Sequence, residues 1–161
     1  MKRINFIEAL IIIFILIFLN IYIYYQNNLK PKKYDISKYE IVEVGNKVQV
    51  GIKTIRNIYT IEVHVGKDED TLKEYVNFIS VEGKYDYINY SIILTNENNS
   101  YELNTILKQK EEDEFIFIGY VKTKNIESGT YSIGVEKQCF EGDNKDKEYH
   151  ELYFSNDKYE L

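Results

Sequence analysis

The sequence predicts an all-β chain: one antiparallel β-sandwich of about 7–9 strands behind one N-terminal transmembrane helix. Three observations predict it. The only long apolar run comes first, at Ile4–Tyr25. From Ile41 onward, short segments alternate apolar and polar residues, the period of a half-buried strand. Between those segments stand glycines and Asn/Asp clusters, the residues that tight turns demand.

Ile4–Tyr25 would reach about 33 Å as a helix at ~1.5 Å per residue, enough to cross a ~30 Å hydrocarbon core. Leu10–Leu19 is apolar at every position, and a strand-rich chain of 161 residues offers little to surround such a helix. Cleavage as a signal peptide requires small residues after the apolar core. Here Asn20–Asn28 follows, and Ala9 is the only alanine in the sequence. The run therefore reads as an uncleaved signal anchor (1–25), followed by a juxtamembrane linker (26–40) and a β-sandwich domain (41–161). Lys2 and Arg3 precede the run while Lys30, Lys32 and Lys33 follow it, so the basic flanks nearly balance. A short basic start leading straight into the apolar run is the signal-anchor arrangement. It predicts a single-pass plasma-membrane protein with its C-terminal domain outside the cytosol. Tyr22, Tyr24 and Tyr25 suit the outer interface, and the three following lysines suit lipid headgroups.

Glu8 lies near the helix start, where the helix dipole favours negative charge and Lys2 or Arg3 can pair with it. Phe6-Ile7-Glu8-Ala9-Leu10 resembles the beginning of type IV pilins and pseudopilins, which carry a glutamate early in an apolar helix. That resemblance implies an alternative function, a subunit of a fibre or secretion apparatus. The glycine of the pilin processing site is missing, and Pro31 ends the run early.

In the domain, Val48, Val50 and Ile52 alternate with Gln49 and Lys53, and Tyr59, Ile61, Val63 and Val65 with Thr60, Glu62 and His64. Further strands are predicted at Tyr75–Val81, Ile88–Thr95, Ser100–Leu107, Phe115–Lys122, Thr130–Lys137 and Tyr149–Phe154. Asp68–Tyr75 could hold one helical turn capped by Asp70. Net charge is −6 with a pI near 5.1, and the basic residues form no long block, which excludes a nucleic-acid partner. The single cysteine, Cys139, permits no internal disulfide, so packing alone must hold the domain. Heavy use of Ile, Lys, Asn and Tyr reflects A/T-rich codons and points to a low-GC bacterial genome.

Glu127-Ser128-Gly129-Thr130-Tyr131-Ser132-Ile133 resembles the tyrosine corner of immunoglobulin-like domains, with Ile133 in place of the disulfide cysteine. The resemblance implies an immunoglobulin-like sandwich in which the Tyr131 hydroxyl bonds back to backbone near Asn125 or Ile126. It also implies that Tyr131, Ile133 and Val135 point inward. Asn77–Gly83, Tyr90–Leu94, Phe115–Gly119 and Gly129–Gly134 together resemble a β-rich accessory module. That module accompanies cell-envelope glycosyl- and glycerophosphotransferases of low-GC bacteria, which implies an envelope setting and no catalysis.

The residues themselves supply no coherent chemistry. His64 and His150 are far apart and read as exposed surface histidines. Asp68-Glu69-Asp70 and Asp143-Asn144-Lys145-Asp146 lack the spacing of a calcium loop and read as solvated turns. Cys139 has no base beside it and reads as a buried or idle thiol. The sequons at Asn89 and Asn98 match the frequency expected of an Asn-rich chain. Among sixteen tyrosines, Tyr85, Tyr87 and Tyr90 are the candidates for an exposed aromatic binding patch. The reading is a membrane-anchored, non-catalytic, extracytoplasmic binding module of the cell envelope. It needs no cofactor or metal, and its partners are the lipid bilayer and an envelope protein or polysaccharide.

Overall fold

Helix α1 (Phe6–Asn28) forms where the sequence is dominated by Ile, Leu, Phe and Tyr, with no Gly or Pro to interrupt it. The computed structural model describes residues 6–39, 41–45, 48–66, 87–110, 114–141 and 147–161. The apolar side chains of α1 are exposed along its length, and the helix is long and apolar enough to cross a membrane. Its internal polar residue is satisfied locally: Asn20 Nδ2 donates to Leu16 O at 2.8 Å, one turn back.

The helix does not end in slack chain. Leu29 is buried, and its carbonyl accepts from Lys122 N at 3.4 Å and from Asn125 Nδ2 at 3.1 Å. Asn104 Nδ2 donates to Asn28 Oδ1 at 2.9 Å, and Lys122 Nζ donates to Gln26 Oε1. Four polar contacts thus clamp the last helical turn and Leu29 just after it onto the domain.

The rest is mostly strand: β1 (Lys32–Lys33), β2 (Ile41–Gly45), β3 (Val48–Ile55), β4 (Ile58–Gly66), β5 (Tyr87–Thr95), β6 (Ser100–Leu103), β7 (Thr105–Lys110), β8 (Glu114–Lys122), β9 (Thr130–Glu141) and β10 (Lys147–Glu160). They form a six-stranded sheet, ordered β1-β6-β5-β9-β10-β2, and a four-stranded sheet, ordered β3-β4-β8-β7. Neighbours run antiparallel except β2, which lies parallel to β10. Between the sheets lies the main core, built from Ile61 and Val63 of β4, Phe117 and Val121 of β8, Ile92 and Leu94 of β5, and Tyr131, Ile133 and Val135 of β9. In each strand these residues are two apart, or four apart in β8 where Gly119 stands between Phe117 and Val121, so the alternation in the sequence becomes the inner face of a sheet. Burying each such side chain contributes roughly 1.5–3 kcal/mol before chain entropy is counted.

Ten strands occur among the described residues, where the alternation predicts about 7–9, and two causes account for the difference. Residues 29–45 supply two short edge strands, β1 and β2, too short to show a period. The predicted strand Ser100–Leu107 divides at Asn104, where the chain leaves one sheet and enters the other. Thr105 fixes the crossing: its Oγ1 donates to Leu103 O at 2.9 Å and accepts from Ile92 N at 2.6 Å. Tyr75–Val81 and the turn Asp68–Tyr75 lie outside the described residues.

Two backbone positions show why particular residues stand where they do. The β3–β4 hairpin closes on Arg56 and Asn57, both left-handed (φ 48° and 63°), as a two-residue type I′ loop requires. At Gly134, β9 passes so close to β10 that an added Cβ would overlap the Tyr153 carbonyl and Phe154. Only glycine fits there.

Candidate functional site

The second face of the six-stranded sheet would face solvent in a simple two-layer sandwich. Here a strap covers it. After α1, β1 pairs with β6 at one edge of the sheet, and β2 pairs with β10 at the opposite edge. Between them residues 34–39 cross the face, with Tyr34 N donating to Ser100 O at 2.9 Å. Tyr34, Ile36 and Tyr39 cover a small apolar cluster of Ile93, Leu152 and Phe154. This segment falls within the stretch read as the juxtamembrane linker.

Beneath the same strap is a buried polar constellation. Strand register brings it together: Glu136 on β9 lies opposite Ser91 on β5 and Leu152 on β10, and Gln138 lies opposite His150. The Glu136 side chain is fully buried and accepts from three directions. Tyr34 OH donates to Oε1, His150 Nδ1 lies against the same oxygen, and Gln138 Nε2 donates to Oε2 at 2.7 Å. The Tyr39 ring stacks on the His150 imidazole with centroids 3.9 Å apart, and on Tyr34 at 5.7 Å. Burial foremost, then the hydrogen bond to Glu136 and its charge, pushes the Tyr34 phenol far above its ordinary range.

A carboxylate orienting an imidazole is the arrangement of a general base. A base must also reach a substrate. The His150 side chain is 4% exposed, with the Tyr39 ring over it. In this conformation the group latches the strap to the sheet. A carboxylate in this position is costly unless every lone pair finds a donor, and three donors converge on it.

His64 has a different setting, on the outer face of the four-stranded sheet. Its Nε2 lies 2.9 Å from Glu62 and its Nδ1 3.1 Å from Glu114, with Lys108 Nζ 3.0 Å from Glu62. Partial burial works to lower the His64 pKa, but the hydrogen bonds to Glu62 and Glu114 outweigh it and the net shift is upward. Among the described residues, no group of three His, Cys, Asp or Glu side chains is arranged to hold a metal ion. Neither histidine is the freely exposed residue that sequence reasoning anticipates.

The candidate tyrosine patch is only partly in view. Tyr85 lies outside the described residues. Tyr87 opens β5 opposite Phe140. Tyr90 is half-buried against the main core, its ring centroid 5.0 Å from that of Phe117. Cys139 sits on β9 opposite Tyr149, and both acidic loops, 68–70 and 143–146, fall outside the described residues. Asn98 is exposed in the β5–β6 turn, where its N–H donates to Asn96 Oδ1 at 2.9 Å.

Sequence reasoning missed the strap and the latch beneath it. A signal was present. Ile92-Ile93-Leu94 is continuously apolar, and Leu152 and Phe154 are apolar at positions alternate to the core-facing Tyr153; such runs mark strands covered on both faces. No protein-family model, curated protein or solved structure matches this chain.

Proposed function

We propose that this chain is a single-pass membrane protein that displays an immunoglobulin-like sandwich outside the cytosol as a non-catalytic binding module of the cell envelope. The observation that carries the reading is α1: its large apolar side chains are exposed along the length of the helix, while its last turn is clamped to the domain. A helix with that surface requires lipid around it, and the clamp holds the domain close to the bilayer.

The immunoglobulin-like part of the reading is supported by Tyr131. Its hydroxyl donates to Glu127 O at 2.7 Å, four residues back in the connection that leads into β9, which is the bond a tyrosine corner makes. Support also comes from the strand order. The β10-β9-β5 trio beside β6, facing β3-β4-β8-β7, corresponds to the extended G-F-C sheet and the A-B-E-D sheet of that superfold.

Two measurements test the reading. Alkaline carbonate extraction of membranes should leave the protein in the pellet, and an alkaline phosphatase fused after Leu161 should be active outside the cytosol. Crosslinking on intact cells should then yield a recurrent envelope protein or polysaccharide joined to the domain. An inactive fusion would overturn the orientation, and hydrolysis of envelope polymers by the purified protein would overturn the non-catalytic reading.

A further inference from the structure

The junction between helix and domain carries two clefts of opposite character. The first, of about 430 Å³, is lined by Lys30, Lys33, Tyr101, Lys124 and Glu127 among others. The second, of about 420 Å³, is lined by Tyr24, Tyr25, Leu29, Ile106 and Tyr120, with most of its wall apolar.

The lysines of the first cleft are distinguished by what they lack. Lys32 is drawn to Glu102 at 3.7 Å and Lys122 to Gln26, both away from the cleft lining. Lys30, Lys33 and Lys124 are exposed, and among the described residues none has a carboxylate partner. Glu127 is the one acid in the lining, and its Oε2 is engaged by Asn99 Nδ2 at 2.9 Å. The cleft is therefore a basic depression, lined by three lysines that have no carboxylate partner among the described residues. Its position is set by the Leu29 carbonyl, which ties Lys122 and Asn125 to the helix end. Lys30 lies five positions beyond Tyr25 and two beyond the end of α1, so it stands on the order of 5–10 Å further along the axis at ~1.5 Å per helical residue, which is headgroup depth when the tyrosines mark the interface. The second cleft lies lower, level with Tyr24 and Tyr25, and offers Ile106 and Tyr120 where the glycerol and upper acyl chains of a lipid lie. The β3–β4 hairpin extends the basic surface: Asn57 O accepts from Thr123 N at 3.0 Å, so exposed Arg56 stands at the same end beside an exposed Ile55.

From this pairing we infer that the junction is a binding site for an anionic phospholipid of the spanned bilayer. The headgroup phosphate enters among Lys30, Lys33 and Lys124, and the acyl region lies against Tyr24, Tyr25, Ile106 and Tyr120. The inference rests on the membrane-spanning reading of α1 and adds to it a lipid preference and a fixed posture of the domain on the membrane.

The test uses the full chain in nanodiscs of phosphatidylcholine with and without phosphatidylglycerol. Lipid retained by the extracted protein is read by native mass spectrometry, and amide exchange is read over residues 30–33 and 122–127. Phosphatidylglycerol should be retained in preference to phosphatidylcholine and should slow exchange at both segments. The triple variant Lys30→Ser, Lys33→Ser, Lys124→Ser should lose that preference by about tenfold or more, and the corresponding triple arginine variant should keep it. Unchanged preference in the serine variant, or equal retention of both lipids, overturns the proposal. So does equal slowing of exchange by millimolar inorganic phosphate in neutral lipid, because it would assign the cleft to a soluble anion. A chain that fails to enter nanodiscs overturns the spanning reading and this site with it, whereas entry without lipid preference overturns the site alone.

Discussion

The two histidines of this chain occupy nearly the same local context and opposite environments. Each lies on a strand, each meets a glutamate through a ring nitrogen, and neither faces the main core. His64 stands on the open face of the four-stranded sheet, with its side chain 28% exposed. His150 stands on the outer face of the six-stranded sheet with 4% exposed, because residues 34–39 pass over it. The difference originates in neither strand. It is made by a segment more than a hundred positions earlier in the chain, tied at one end to β6 and continuing at the other into β2. A sheet face becomes interior or surface according to what crosses it, and a crossing segment leaves little periodic trace.

The comparison can be broken most forcefully at the apolar floor beneath the strap. Leu152→Ala removes a fully buried side chain from the Ile93–Leu152–Phe154 cluster and should cost about 2–5 kcal/mol in urea unfolding. If Leu152→Ala is as mild as a surface substitution, the strap does not cover the face in solution. The latch comes next. Tyr34→Phe keeps the ring over the sheet but withdraws a donor from Glu136, and should cost about 1.5–3 kcal/mol, as for a hydrogen bond to a charged group. A double-mutant cycle with Glu136→Gln should show a coupling of roughly 0.5–3 kcal/mol. Additive effects would mean that the two groups do not meet.

How much of this was legible follows from the same contrast. The main core was legible because Val63, Ile133 and Val135 lie on alternating strands whose period survives in the sequence. Tyr131 was legible through its neighbours Gly129 and Glu127, and its acceptor is Glu127 O, next to Ile126 in the stretch near which the bond was expected. A Tyr131→Phe change should be the next smaller effect, about 0.5–1.5 kcal/mol by thermal or urea melting, since the ring stays buried and one neutral hydrogen bond is lost. The strap was not legible because Tyr34, Ile36 and Tyr39 are three apolar contacts scattered through a polar, lysine-rich stretch. The division at Asn104 was equally hidden: the alternation of Tyr101 and Leu103 continues through Thr105 and Leu107 without a break, while the backbone changes sheets. For the lipid cleft, sequence proximity pointed to Lys30, Lys32 and Lys33. The fold draws Lys32 to Glu102 and brings in Lys124 from more than ninety positions along the chain.

The smallest expected effect belongs to the open histidine, and its sign is fixed by the direction of two shifts. The His64 pKa is raised from 6.5 in the fold, so its pairing contributes stability that is fully present below 6.5 and is lost as pH rises through the folded value. The Glu62 carboxyl is lowered from 4.5, first by the hydrogen bond from His64 and then by Lys108, so its contribution is present above 4.5 and fades as pH falls through the folded value. Both are in force together between those ordinary values. His64→Gln should therefore lower the melting temperature most near about pH 5.5 and least near about pH 8.5, with a free-energy difference under about 1 kcal/mol because the side chains remain partly in water. Raising the salt concentration should shrink the gap further, since solvent-facing pairs are screened. Glu114→Gln should reproduce part of the loss at the lower pH, because Glu114 holds the second ring nitrogen at 3.1 Å. A gap that grows with pH would place His64 in a setting that disfavours its charge, against the upward shift its two glutamates produce.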